Sequence, residues 1–559
     1  MAVAITAQGW LGVWGGDVTP LLRHYPEVAW QNFAGQCLAW DVGRGVVPSG
    51  GDAWVELNAT TLVLGRHPFG RLTLYWCRQG NAIWFATRWR WLLPLVTEPI
   101  LDPIAVYGYA CFSYVPTPFT PYKDIRAIEA GWEYRWERGE LVSQTPSPLL
   151  AEWHEGETLE QEEGLAVQSL RRLLTAAVAR QTHDLKGQTV GVLLSGGIDS
   201  ATVAALLVQQ YPKVRAYTLD FGSYGLSEVP YAEQVAQHLQ IPLTRVDCCP
   251  QRVRKVLRQT AQALDLPFGD GVCVPFWLLY QTAQGECEVL FNGEGGDQLF
   301  AGWTNKPLIA GSCYQWQPLD FTEQYLQTFH RLFGYEERVF QPAFWQRVRH
   351  WYPGDSLQFA LAGRGSLLAG LRRATLMLKG AQNIHPRVAN LALALGLKLR
   401  SPFCDEALTR WTFSIAPELF LQGACEKYIL KRAVEPWLPA EIVWREKRGM
   451  GVPLTAWCLG SLWSDLGYWL NPHRLAEEGI WQEDLPAQVA FGGLGSALRH
   501  RRIGEILWLL WAWQAWRSTL APLPPAISWQ HPFWLPYGFW RCTGWYAFWR
   551  SWDELAVLA

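Results

Sequence analysis

Thr189-Val190-Gly191-Val192-Leu193-Leu194-Ser195-Gly196-Gly197-Ile198-Asp199-Ser200 is the stretch whose reading decides the fold. Residues 189–194 make a continuous apolar run of strand length, the pattern of a strand buried on both faces. A glycine-rich loop follows, and residues 201–210 read as a helix. Residues 214–219 and 243–246 read as a second and a third strand, with a helix over 231–239 between them. Strands alternating with helices predict an α/β protein built on a parallel, doubly wound sheet. Ligands of such sheets sit beyond the carboxyl ends of the strands, where the 195–200 loop falls. Gly196 and Gly197 let the backbone approach a phosphate closely. The following helix offers unpaired N–H groups and its positive dipole end. Ser195 and Ser200 add hydroxyl donors. Asp199 would repel phosphate unless a cation lay between, so it is a candidate Mg²⁺ ligand. The loop is neither GxxxxGK[ST] nor GxGxxG, which weakens kinase-like and dinucleotide readings.

Upstream, Leu165, Val167, Leu170, Leu173, Leu174 and Val178 fall at helical spacing. Residues 144–158 carry Pro146, Pro148 and an acidic Glu155-Gly156-Glu157, which suits a linker. Before about residue 145, segments 55–57, 61–65, 72–77 and 82–86 predict strands of an antiparallel sheet. Ile128-Glu129-Ala130-Gly131-Trp132 predicts the turn into a closing hairpin. Beyond about residue 321 the pattern is mostly helical. From about Thr519, Pro-Leu-Pro-Pro leads into an aromatic tail holding Trp529, Trp534, Trp540, Trp545, Trp549 and Trp552.

The chain has 559 residues, enough for two to four domains at ~100–200 residues each. Hydrophobic residues make up 49% and charged residues 18%, a globular composition. A net charge of −2 argues against nucleic acid as a partner. No apolar run approaches ~18–20 residues, so no transmembrane helix is expected. The start, MAVAITAQGWLGVWGG, lacks the basic and apolar regions of a signal peptide, and a cytoplasmic protein is expected. Twelve cysteines without a CxxC pair predict buried thiols rather than a zinc site or a disulfide framework.

Residues 187–200 resemble the pyrophosphate-binding motif of the N-type ATP pyrophosphatases, and the wider context resembles the asparagine synthetase family. Asp265-Leu266-Pro267-Phe268-Gly269-Asp270 looks like that family's acidic loop. Asn292-Gly293-Glu294-Gly295-Gly296-Asp297 is similar to its second signature, and Arg400-Ser401-Pro402-Phe403-Cys404-Asp405 to its Arg-x-Pro-Phe-Leu-Asp stretch. Lys427 to Ala433, Leu438-Pro439 and Arg445 to Pro453 continue in the family's order. The resemblance implies an adenine nucleotide alpha hydrolase-like domain over residues 165–518. It implies adenylation of a carboxylate, aspartate in the family, with pyrophosphate released. An amide to an amine or ammonia then forms and AMP leaves. ATP and Mg²⁺ are the implied cofactors. Leu194, Ser195, Gly196, Gly197, Asp199, Ser200, Leu219, Asp220, Gly293 and Glu294 would bind ATP and its pyrophosphate, in a region that also holds Phe221 and Glu228. Asp199 and Asp297 would share Mg²⁺. Lys447 matches the catalytic lysine at the α-phosphate, with Lys427 a second cation for pyrophosphate. Lys398, Arg400 and Asp270 are candidates for the carboxylate and amine site.

Residues 1–145 resemble the family's glutaminase domain, an Ntn-hydrolase-like αββα sandwich, through Gly65-Arg66-His67-Pro68-Phe69-Gly70-Arg71-Leu72-Thr73-Leu74-Tyr75-Trp76 and Phe85-Ala86-Thr87-Arg88. The cysteine nucleophile of that domain has no counterpart. Residue 2 is Ala, Gln8 aligns with the cysteine, and the first cysteine is Cys37. A degenerate lobe without glutamine hydrolysis is expected, followed by a linker over 146–164 and a Trp-rich tail over 519–559. A second departure is Gly396-Leu397-Lys398-Leu399-Arg400, which places Lys398 where the family has a glutamate that helps deprotonate the amine. A lysine is cationic at neutral pH and a poor base. Aspartate and ammonia are thereby put in doubt, and an amidoligase on another amine, with a peptide substrate included, is the rival reading. A non-catalytic scaffold docking through the Trp-rich tail is the reading of another class. A homo-oligomer is left open.

Overall fold

The computed structural model describes residues 10–15, 23, 31–33, 37–41, 52–155, 162–185, 187–225, 227–302, 321–330, 332–361, 366–446, 449–492, 494 and 500–524. Two antiparallel sheets come first. Strands β1 (Trp10–Trp14), β2 (Gln31–Phe33), β3 (Cys37–Asp41), β6 (Tyr75–Gln79), β7 (Ala82–Ala86) and β8 (Ile125–Ala127) pair in the order β2-β3-β1-β7-β6-β8. Strands β4 (Ala53–Leu57), β5 (Thr61–Arg66), β9 (Trp132–Glu137) and β10 (Glu140–Pro146) pair in the order β10-β9-β5-β4. Alternating residues of both sheets meet in one buried cluster that includes Trp14, Val55, Leu62, Leu64, Ile83, Phe85, Tyr134 and Trp136. That is the core of a sheet-on-sheet sandwich. The four-stranded sheet turns Glu56, Arg135 and Glu137 to solvent. The outer residues Tyr75, Cys77, Trp84 and Ala86 of the six-stranded sheet join the main core, together with α1 (Pro103–Phe112).

Two segments differ from expectation. Strand β6 begins at Tyr75 rather than at Leu72, because Arg66 Nε takes the Leu72 carbonyl at 3.1 Å and holds that residue out of the ladder. Part of the stretch read as a linker is helix α2 (Pro148–Glu155). Pro148 suits a first helical position, Ser147 Oγ accepts from Leu150 N at 3.4 Å, and Leu149, Leu150 and Trp153 are buried.

Helix α3 (Glu163–Thr182) leads to the parallel sheet. It buries Leu170, Leu174 and Val178 but leaves Leu165 47% exposed. Strands β11 (Val190–Leu193), β12 (Val214–Asp220), β13 (Leu243–Asp247), β14 (Val289–Phe291) and β15 (Lys398–Arg400) pair in parallel in the order β13-β12-β11-β14-β15. All four residues of β11 are buried, as a central parallel strand requires. Helices α4 (Ile198–Gln210), α5 (Val229–His238), α6 (Pro250–Ala263) and α7 (Cys273–Ala283) alternate with the strands. Strand order reverses between β11 and β14, which opens a crevice at their carboxyl ends.

The C-terminal half adds helices, among them α8 (His385–Ala394), α9 (Tyr428–Val434) and α10 (His500–Arg517). A π-helical segment, Thr375–Ile384, runs directly into α8. The antiparallel part is bolted to the rest. Arg88 Nε lies 2.9 Å from Asp265 Oδ1 with both side chains buried, and Tyr109 donates its hydroxyl to the Leu509 carbonyl at 2.7 Å. Of the nine cysteines whose side chains are described, seven are buried and all nine are free thiols. Among the described residues no helix is long and apolar enough to cross a membrane. Trp529 and the later tail tryptophans lie outside the described residues.

Candidate active site

The crevice at the switch point is an open cleft. Its floor is the 194–200 loop after β11, flanked by Leu219 at the end of β12, by Phe221 just past it and by residues 292–298 after β14. Its far wall comes from Glu426, Lys427, Lys431, Arg445 and Glu446.

The loop is held by its own hydroxyls. Ser195 N–H donates to Ser200 Oγ at 3.2 Å, Gly197 N–H to Ser195 Oγ at 3.3 Å, and Ser200 Oγ to the Gly197 carbonyl at 3.1 Å. Gly197 caps α4 without a side-chain bond to the helix, so the first-turn N–H groups remain suited to an anion. Gly196 serves a different purpose from the expected one. Its φ is +72°, and a Cβ there would lie 2.5 Å from Tyr231 Cβ and 2.6 Å from Ala232 N. It lets α5 pack against the loop and does not itself line the cleft. Gly293 brings the second loop onto the first, since a Cβ there would lie 2.7 Å from Ser200 N and 2.8 Å from Asp199 C.

Asp199 and Asp297 meet at one point. Lys427 Nζ pairs with Asp199 Oδ2 and lies 2.5 Å from Asp297 Oδ1, with Lys427 only 1% exposed. Its backbone, at φ 56°, opens α9 and turns the side chain inward. Two carboxylates converging on one position are a hard-oxygen donor set that fits Mg²⁺. Among the described residues no group of three or more His, Cys, Asp or Glu is placed to hold a metal by itself. The remaining ligands would be phosphate oxygens and water, the usual Mg²⁺ arrangement in nucleotide sites.

Leu194, Ser195, Gly197, Asp199, Ser200, Leu219, Gly293, Glu294 and Asp297 all line the cleft, as do Phe221 and Glu228. Asp220 does not; its Oδ1 accepts from Gly222 N at 2.9 Å and shapes the turn after β12. Lys447 lies outside the described residues, between Glu446 and Gly449. The three residues proposed for the carboxylate and amine site are not brought to the cleft lining. Lys398 pairs with Val289 at the amino end of the parallel ladder, the edge opposite the crevice, and is exposed. Arg400 makes a bidentate pair with Asp184 at 2.6 and 2.7 Å, which ties β15 to the end of α3 and holds the Asp184 carboxyl down at about 2. Asp270 pairs with Arg387, whose guanidinium burial lowers to about 9.

The cleft also uses residues that the motif reading did not single out. Asn292 Oδ1 accepts from Glu294 N at 3.1 Å and from Ser401 Oγ at 2.8 Å, fixing the 292–294 turn. Lys431 follows Lys427 by one helical turn, a spacing that puts both on one face, and stands 3.9 Å from Glu426. Arg445 covers the Tyr231 ring at 3.5 Å and lies 3.9 Å from Glu228. The i, i+4 lysines were the available signal; nothing in spacing marks Asn292.

Residues 169–518 match the family described as asparagine synthase. The chain belongs to the asparagine synthase family. Within it, the chain is 25% identical over 429 residues to a putative asparagine synthetase [glutamine-hydrolyzing] of Mycobacterium tuberculosis, covering 71% of this chain and 65% of that one. It therefore spans just under two thirds of the mycobacterial relative's length. It is 24% identical over 492 residues to asparagine synthetase [glutamine-hydrolyzing] 1 of Bacillus subtilis, covering 81% of this chain and 74% of the relative. Among solved structures, an NH3-dependent NAD synthetase from Campylobacter jejuni overlaps 29% of this chain and 84% of its own, at 15% identity and a TM-score of 0.19, too little to carry an argument.

Proposed function

We propose that the protein adenylates a carboxylate in this cleft and passes the acyl group to an amine or ammonia. The observation that carries the reading is the convergence of Asp199, Asp297 and Lys427 where β11 and β14 part. Family membership implies ATP as the co-substrate. Residues 165–518 act as the ATP pyrophosphatase domain, and residues 1–145 as a glutaminase-like lobe whose nucleophile position holds Gln8.

The first-turn N–H groups of α4 and the Ser195 and Ser200 hydroxyls hold the β- and γ-phosphates, and Leu219 and Phe221 flank the adenosine. A carboxylate oxygen bonds to the α-phosphorus as the bond to the β-phosphate bridge breaks, and pyrophosphate leaves. Charge grows on the α-phosphate oxygens and the leaving group, so fixed cations lower the barrier. Lys427 is held for that task, with Lys447 as its partner by family position. Mg²⁺, carried by Asp199 and Asp297, would neutralise the phosphates when bound. The amine then adds to the acyl carbonyl, loses a proton and expels AMP. Glu294, Glu426 and Glu446 line the cleft and are the candidate proton acceptors; Lys398, at the opposite edge of the sheet, is not.

ATP–pyrophosphate exchange over a panel of carboxylates tests the reading. Exchange is expected in wild type, dependent on Mg²⁺, and lost in Asp199→Ala. Silence with every carboxylate would favour a non-catalytic scaffold. With glutamine alone, glutamate release should stay at background; release above it would restore the glutaminase.

A further inference from the structure

The antiparallel lobe reaches the cleft through one continuous run of buried contacts that the reaction above leaves unused. Its 66–70 turn is pressed onto the π-helical segment. A Cβ on Gly70 would lie 2.8 Å from Ala381 Cβ. Arg66, 1% exposed, donates to the carbonyls of Gly70 at 2.9 Å and Ala381 at 2.8 Å. π-helical windings are rare and gather at functional sites. This one ends at His385, which is 1% exposed. His385 Nδ1 lies 2.6 Å from the Phe69 carbonyl. A carbonyl can only accept, so Nδ1 carries the proton and Nε2 is left as the acceptor. Nε2 faces Cys404 Sγ at 3.7 Å, and the same sulfur lies 3.9 Å from the Glu294 carbonyl. Gly295, at φ +99°, is seated on Phe403 and Cys404, where a Cβ would lie 3.1 and 3.3 Å from them. Glu294 and Gly295 belong to the cleft wall, three and two residues before Asp297.

We infer that His385 is a positioning residue through which the 66–70 turn of the antiparallel lobe holds the 292–297 loop in the shape that receives the nucleotide. The lobe then has a present use that needs no glutamine chemistry: it is a brace for the phosphate-facing loop. The inference rests on the adenylation reading, and its test separates the two.

The full-length chain is compared with His385→Ala, His385→Asn and Cys404→Ala. Hydrogen exchange of peptides spanning 289–300 is followed by mass spectrometry, beside the thermal midpoint and the ATP dependence of pyrophosphate exchange. An asparagine amide can reproduce the Nδ1–H donor to the Phe69 carbonyl. Loss of that bond in His385→Ala should speed exchange of the loop and raise KM for ATP by about tenfold, the size of one buried hydrogen bond. kcat should change less, and His385→Asn should restore most of the KM. If the alanine variant does not fold, Cys404→Ala carries the test: it removes the contact between His385 Nε2 and the Glu294 carbonyl, and is expected to speed loop exchange and raise KM for ATP as well. Loop protection and KM unchanged across the folded variants would overturn the inference. A wild type with no pyrophosphate exchange, whose loop protection still depends on His385, would overturn adenylation and leave the brace standing.

Discussion

Lys427 holds two carboxylates that would repel each other without it. Replacing it with Met should lower pyrophosphate exchange by at least ~100-fold, the scale of one transition-state donor. It should also make stability depend on Mg²⁺: the thermal midpoint of Lys427→Met should rise more with added Mg²⁺ than that of wild type, because the cation takes over the ammonium's place. Equal responses would count against Asp199 and Asp297 as a metal pair. His385 supplies a second prediction. Burial, the largest cause, pushes its imidazole down to about 4 from an ordinary 6.5. Between those values the unfolded chain binds a proton that the folded one refuses, so stability falls as pH drops from 6.5 towards 4, by up to ~1.4 kcal/mol per pH unit. Denaturant titrations should show this slope flattened in His385→Asn. Residues carried by a motif next to a strand end, such as Asp199 and Asp297, were legible from the sequence. Lys398, Arg400 and Asp270 were misplaced because residue order names a strand but not which edge of the sheet a side chain reaches, nor that Asp184 and Arg387 were waiting as partners.

Among elements, the parallel core was the most readable. The alternation of β4 and β5 follows from the 2.0-residue period, and the all-apolar β11 and β7 from two-sided burial. Helix α2 was read as a linker because its prolines and acidic residues suggest a loop, whereas Pro148 initiates it and Leu149, Leu150 and Trp153 anchor it. The π-helical winding of Thr375–Ile384 has no sequence period of its own; tertiary contacts with the 66–70 turn accompany it. The glycine loop does reach the cleft, but Gly196 is there to admit α5 rather than a phosphate. Gly196→Ala should cost about 2 kcal/mol or more, since it combines a left-handed backbone with a clash against α5. Denaturant unfolding should show that loss, whereas Gly187→Ala, at φ +73° with open space around its Cβ position, should show only the backbone cost.

For the whole molecule, the two parts share a core that runs from the six-stranded sheet to the parallel one. Arg88 and Asp265 are buried across that junction. Removing one member leaves an uncompensated charge, so Asp265→Ala should lose about 3–5 kcal/mol, seen by calorimetry as a lowered transition. In the proposed reaction the carboxylate attacks the α-phosphorus. The most direct measurement uses a carboxylate substrate labelled with ¹⁸O in the carboxyl group, with ³¹P NMR of the products after one round of reaction with ATP. Label recovered in the phosphate of AMP, with unlabelled pyrophosphate, is the predicted result. Label in inorganic phosphate beside ADP would place the attack at the γ-phosphorus and contradict it.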